Sequence, residues 1–154
     1  MIGIEQMSGI CDGRVIIVTG AGGGLGREYA LAFGAAGAKV VVNDINAQSA
    51  EKTVADIEDT GGEAIANSQD ITNYEQSASI VSEAIANFGD LHGVVNNAGI
   101  CRDRMFASMT EEEWDQVIAV HLKGHFCISS HAVHYWRDQF KQGHKVDARI
   151  INTS

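Results

Sequence analysis

The chain alternates short apolar runs with longer stretches in which apolar residues recur every three to four positions, the pattern of strands exchanging with amphipathic helices. Residues 14–19 (RVIIVT) read as a first strand, 25–36 as a helix stopped at Gly37, and 39–43 (KVVVN) as a second strand ending at Asp44. Residues 46–59 read as a helix with Val54 and Ile57 turned inward and Gly61-Gly62 closing it, and 63–69 as a weaker third strand reaching Asp70. Thr72-x-x-Glu75 has the spacing of a capping box and predicts a helix through Phe88 with Ile80, Val81, Ala84 and Ile85 on one face. Residues 93–96 form a short fourth strand. Thr110-x-x-Glu113 is a second box, opening a long helix over 110–142 that carries Trp114, Val117, Ile118, Leu122 and Phe126. Gly124 inside it costs about 1 kcal/mol relative to alanine, which predicts a kink or a close contact there. A fifth strand begins at 149–152.

Strands that are apolar without alternation are those of a parallel sheet covered on both faces. Joined by right-handed crossovers, they predict an α/β fold with a doubly wound parallel sheet and a ligand at the carboxyl ends of the strands. Residue 154 falls at the end of the fifth strand with no helix after it, so the expectation is a single domain, 1–154, forming the N-terminal portion of a longer fold.

Composition narrows the function. The 154 residues are 45% apolar and 20% charged, as in an ordinary globular domain. A net charge of −9, with 11 scattered basic residues, argues against a nucleic-acid partner. No apolar run approaches the roughly 20 residues that cross a bilayer, so no membrane partner is expected. The opening MIGIEQMSGICDG lacks a basic segment followed by an apolar one, which reads as no signal peptide and a cytoplasmic protein. Cys11, Cys101 and Cys127 are odd in number and widely spaced, which suits free thiols.

The chemistry concentrates after the first strand, where Thr19-Gly20 is followed by Gly22, Gly23, Gly24 and Gly26 and then by a helix. A strand running into a glycine turn that opens a helix lets a pyrophosphate approach the backbone and meet unpaired N–H groups at the positive end of the helix dipole. No lysine follows these glycines to reach a γ-phosphate, so a nucleoside-triphosphate loop is not expected. Asp44 stands about 20 residues on, where a carboxylate accepts both hydroxyls of an adenine ribose. It would repel a 2′-phosphate, and neither Gly23 nor Ile45 brings a positive charge, so NAD is expected over NADP. An ordinary polar residue closing a strand would also be Asp44. Asp70 is explained equally by helix-start chemistry, and Asn96-Asn97-Ala98-Gly99 either turns the chain or borders a cofactor. His121 and His125, and His131 and His134, have helical spacings that can present two metal ligands, but HLKGH lacks the glutamate of HExxH and no third ligand is evident, so no metal is expected.

Taken together, Thr19-Gly20-x-x-x-Gly24-x-Gly26, Asp44, Asp70 and Asn96-Asn97-Ala98-Gly99 resemble the short-chain dehydrogenase/reductase family over residues 14–154. The resemblance implies a Rossmann-type fold, an NAD cofactor and hydride exchange between a secondary alcohol and a ketone. It implies that Gly20, Gly24, Leu25 and Gly26 line the pyrophosphate, that Asp44 holds the adenosine ribose, that Asp70 and Ile71 face adenine, and that Asn97 borders the inner ribose. Within the family, VVVND (40–44), NNAGICRDRMF (96–106) and VHLKGHF (120–126) look like the (3R)-hydroxyacyl-CoA dehydrogenases of type 2 peroxisomal multifunctional enzymes. Hydroxysteroid dehydrogenases and bacterial 3-oxoacyl reductases share much of this, so the implied substrate is a CoA thioester or a steroid. The family places Asn where this chain has His121, which makes His121 a candidate catalytic residue or a packing one. The family's Tyr-x-x-x-Lys is absent, since Tyr29, Tyr74 and Tyr135 are followed four places on by Phe33, Ala78 and Gln139. Its serine, tyrosine and lysine are expected after residue 154, and the 154 residues alone are expected to bind cofactor without turnover. A non-catalytic NAD(H)-binding module is the alternative. An S-adenosylmethionine methyltransferase is disfavoured by Thr19-Gly20 and the NNAG segment. The same resemblance implies that the long apolar helix pairs subunits into a homo-dimer or homo-tetramer, the alternative being a core helix whose partners lie in the part of the fold expected after residue 154.

Overall fold

The computed structural model describes residues 9–153, so most of the opening segment read as lacking a leader, and Ser154, lie outside the described residues. Apolar continuity produces the strands β1 (Val15–Thr19), β2 (Lys39–Asn43), β3 (Glu63–Asn67), β4 (Gly93–Asn96) and β5 (Arg149–Asn152). They form one parallel sheet in the order β3-β2-β1-β4-β5. The helices between them are α1 (Gly24–Ala35), α2 (Ala47–Glu58), α3 (Tyr74–Phe88), α4 (Glu111–Ile118) and α5 (His125–Lys141).

Successive residues of a strand face opposite sides, so β1 divides its side chains between two cores. Val15 and Ile17 join Ile80, Ala84, Ile128 and Ala132 from α3 and α5. Ile16 and Val18 join Ala30 of α1 and Ala50 and Ile57 of α2. Helices on both faces make this a doubly wound, Rossmann-like fold. The chain leaves β1 toward β2 on one side and returns to β4 on the other, which opens a crevice at the carboxyl ends where the order reverses.

Several local expectations are corrected. Complete burial holds for β1 and β4, while β3 is covered in part and β5 lies exposed along its length, because each is an edge strand with one neighbour. The third strand stops at Asn67 rather than Gln69, since the Asn67 side chain captures the Gln69 N–H and turns the chain out of the ladder. The inward face of α2 is Ala50, Thr53 and Ile57, with Val54 half-buried beside it.

Thr72 does not cap α3. Its hydroxyl donates to the Asp70 carboxylate at 2.8 Å, and the cap falls to Asn73, whose side chain accepts the Gln76 N–H. The second box forms as its spacing predicts: Thr110 Oγ1 accepts from Glu113 N–H at 3.2 Å, and Glu113 Oε2 accepts from Thr110 N–H at 3.1 Å. The long helix it opens is interrupted by a π-helical turn over Ala119–Gly124. Gly124 ends that turn against α3's approach, where a Cβ would lie 2.7 Å from Ile71 Cδ1, so the expected close contact is present. Among the described residues no helix is long and apolar enough to cross a membrane.

Candidate active site

The crevice at the carboxyl ends of the strands encloses about 400 Å³ and is lined by the turn after β1 (Gly20, Gly23, Gly24), the end of β2 (Asn43, Asp44, Ile45), the segment after β3 (Gln69 to Thr72), the turn after β4 (Asn97 to Ile100) and Val120 of the π turn. It gathers Gly20, Gly24, Asp44, Asp70, Ile71 and Asn97 from the residues singled out in the sequence. Leu25 and Gly26 are not part of its lining.

The turn after β1 is built for close approach. Gly20 has φ of +63°, and a Cβ on it would lie 2.8 Å from the Ala98 backbone. Gly26, in the first turn of α1, packs so closely that a Cβ would overlap Gly20 O and Asn97 Nδ2. It packs against the turns after β1 and β4, and Leu25 beside it is 66% exposed. Around Gly23 and Gly24 there is open space.

The N-terminus of α1 has Gly23 at the cap, no side-chain hydrogen bond to its free amides and no acidic residue in its first turn. By contrast α2, α3 and α4 are capped by Asn46, Asn73 and Thr110. The first N–H groups of α1 therefore keep both their donors and the positive end of the dipole for the crevice.

Asp44 is held in place by backbone amides: Oδ2 accepts from Gly22 N–H at 3.0 Å and Oδ1 from Asn46 N–H at 2.9 Å. A carboxylate has about four acceptor positions, so two such bonds orient it and leave capacity for a ligand diol. Asp70 is drawn partly into local structure, because Oδ1 accepts from both the N–H and the hydroxyl of Thr72. Ile71 turns its side chain into the core under α3 and α5, so it borders the crevice mainly through its backbone.

Asn97 braces the floor, with Nδ2 donating to Thr19 O at 3.1 Å and Gly20 O at 3.3 Å. Thr19, fully buried, accepts from the N–H groups of Asn97 and Ala98 on Oγ1, each at 3.1 Å, and so ties the turn after β4 to the end of β1. The sequence reading gave Thr19 no such task; the cue was a hydroxyl at the last position of an otherwise apolar strand.

His121 lies in the π turn with Nε2 2.8 Å from Ile100 O and 3.0 Å from Ile100 N. A ring nitrogen donates or accepts, never both at once, so the tautomer selects which of the two bonds forms. His125 Nε2 is 3.3 Å from Ala98 O. The two rings thus grip one crevice segment from the same helical turn. His131 sits apart, with Nε2 2.8 Å from Tyr74 O.

No ion pair touches the crevice residues from either arginine of the 102–104 loop. Arg104 pairs with Glu113 at 2.8 Å, and Arg102 Nε donates to Gln116 Oε1 at 2.9 Å, so both reach back to α4.

Comparisons with known proteins bear on the family and the fold. The family model for short chain dehydrogenases matches residues 14–154. Hydroxyacyl-CoA dehydrogenase ChsB1 of Mycobacterium tuberculosis is 46% identical over 150 residues, covering 93% of this chain and 47% of that protein. Peroxisomal multifunctional enzyme type 2 of Mus musculus is 44% identical over 152 residues, covering 93% of this chain and 20% of that protein. A crystal structure of a short chain dehydrogenase from Mycobacterium avium superposes with a TM-score of 0.92 at 52% identity, covering 95% of this chain and 55% of that one. The chain spans about half the length of the mycobacterial relatives it matches, or less.

Proposed function

The chain belongs to the short chain dehydrogenase family, and from that membership and the crevice geometry we propose that it binds a nicotinamide dinucleotide, NAD in preference to NADP, as the cofactor-binding part of an oxidoreductase. The reaction proposed interconverts a secondary alcohol and a ketone, with a hydroxyacyl thioester as the substrate class its relatives' names favour and a hydroxysteroid as the second. The observation that carries the reading is the pairing of an uncapped helix N-terminus with an amide-oriented carboxylate on one crevice. Donors without partners suit a diphosphate, and a fixed carboxylate suits a ribose diol while opposing a 2′-phosphate.

A dinucleotide bound there supplies or accepts the hydride. The chain's own residues provide position. The glycine turn admits the diphosphate, Asp44 orients the adenosine end, and Thr19 with Asn97 fixes the floor. His121 is a positioning residue in this reading, holding the segment around Ile100 where the reacting end would lie. Loss of the alcohol proton needs a positioned acid/base, which supplies about 10²–10⁴-fold. None of Tyr29, Tyr74 and Tyr135 has a lysine four places on, so the crevice residues are assigned binding and orientation, and no tyrosine of these three is assigned the proton transfer.

Fluorescence titration tests the cofactor. NADH is expected to bind more tightly than NADPH or S-adenosylmethionine, and Asp44→Ala to weaken NADH by about tenfold, as loss of a charged hydrogen-bond acceptor implies. Tighter binding of NADPH to the unaltered chain would overturn the role given to Asp44.

A further inference from the structure

The buried polar pair at the ends of β2 and β3 has no part in the reading above, and it stands where apolar residues would suffice for packing. Asn43 and Asn67 are register partners, 2% and 4% exposed. Asn43 Nδ2 donates to Asn67 Oδ1 at 2.8 Å and to Gln69 O at 3.0 Å. Asn67 Oδ1 also accepts from Gln69 N–H at 3.0 Å. Both backbone groups of Gln69 are therefore held by side-chain amides at the point where the sheet ladder has ended.

The orientation of these amides is fixed by chemistry. A backbone N–H must meet an oxygen and a backbone carbonyl must meet an N–H, so flipping either amide would forfeit a bond to Gln69. That leaves Asn67 Nδ2 directed at Glu83 Oε2 of α3, 2.8 Å away. Beyond Gln69 the same manner of support continues, with Asp70 N–H donating to Gln76 Oε1 at 2.7 Å. Gln69, Asp70 and Thr72 form the wall of the crevice on the side of β2 and β3, next to Asp44.

We propose that Asn67, anchored by Glu83 and coupled to Asn43, is a positioning residue that preforms the adenosine side of the crevice. The inference rests on the dinucleotide reading. It assigns Glu83 a task at a distance: the carboxylate is not part of the crevice lining, yet it accepts from the Nδ2 that this orientation leaves over and so holds the Asn67 amide in place. A wall held in its binding geometry before the ligand arrives loses less freedom on binding, so disturbing the anchor weakens adenosine recognition and leaves the glycine turn intact.

The test measures AMP and inorganic pyrophosphate binding to the full chain by NMR titration at pH 8. Asn67→Asp keeps the acceptor for Gln69 but sets a carboxylate against Glu83, and is expected to weaken AMP about tenfold with pyrophosphate unchanged. Combining it with Glu83→Gln exchanges donor and acceptor between the two positions and is expected to restore AMP to within about threefold. Glu83→Ala, at a half-buried helix position, is expected to weaken AMP about threefold by freeing the amide. Failure of the unaltered chain to bind AMP overturns the dinucleotide reading and this inference together. AMP binding by the unaltered chain with unchanged affinity in Asn67→Asp and Glu83→Ala overturns this inference alone. So does an equal loss of AMP and pyrophosphate, or a double variant no better than Asn67→Asp.

Discussion

Two glycines in one turn serve different physical ends, and the difference can be measured. At Gly26 a side chain would collide with Gly20 O and Asn97 Nδ2, so helix α1 could not sit against the turn. At Gly23 the backbone is extended, as any residue adopts, and no atom lies within 4 Å of where a Cβ would be. Gly26→Ala is expected to cost about 2 kcal/mol of stability by overpacking, read from urea unfolding. Gly23→Ala is expected to change stability by less than about 0.5 kcal/mol, yet to weaken NADH, because its methyl projects toward the space where the diphosphate would lie. Equal stability losses in the two variants would contradict this division.

Among the elements, α4 shows most directly how a terminus is secured. The N–H of Thr110 first, and then the Arg104 guanidinium, hold the Glu113 carboxyl below its usual value of 4.5. A carboxyl lowered on folding contributes stability that is present above the unfolded value and is lost as pH falls through the lower, folded one. The protection of the Thr110 amide is therefore expected to persist at pH 5 and to fade below 4.5, with the Glu113 carboxyl itself titrating below that value by NMR. Thr110→Ala is expected to cost about 1 kcal/mol at neutral pH. The π turn that follows is set differently, by packing of Gly124 on Ile71 and by the bonds of His121 and His125 to the turn after β4. Crevice geometry thus depends on one helix being locally overwide, with Val120 carried to the lining.

At the scale of the molecule, the outer face of α4 and α5 stays apolar and uncovered. Leu122 is 65% exposed and Phe126 60%, with Trp114 and Ile118 extending the stripe at four-residue spacing. Tyr74 stacks on Phe126 with ring centroids 6.2 Å apart. A continuous exposed apolar face marks an association surface, and the proposal of a homo-dimer or homo-tetramer rests on it. Sedimentation is expected to show self-association that Leu122→Glu reduces by at least about tenfold in affinity, the effect of placing a charge at an apolar contact. A chain that remains monomeric at all concentrations would remove the proposal.

The alternation of elements, the parallel doubly wound sheet, the glycine turn and the position of Asp44 at a strand end are all legible in the chain's local patterns. These follow from short-range patterns: continuous apolar strands, a glycine-rich turn before a helix, a carboxylate at a strand end. Even the box at Thr110 was legible, because its two bonds join residues three apart. The matching pattern at Thr72 misled, since the Asp70 carboxylate competed for the same hydroxyl. Contacts between distant segments settle that Ile71 faces inward, that Gly26 packs on the turns after β1 and β4, that Thr19 joins those two turns, and that Asn43 and Asn67 hold Gln69. Each of those outcomes depends on which groups meet across the sheet, where partners come from distant positions and a buried donor or acceptor must find whichever one the fold brings within reach.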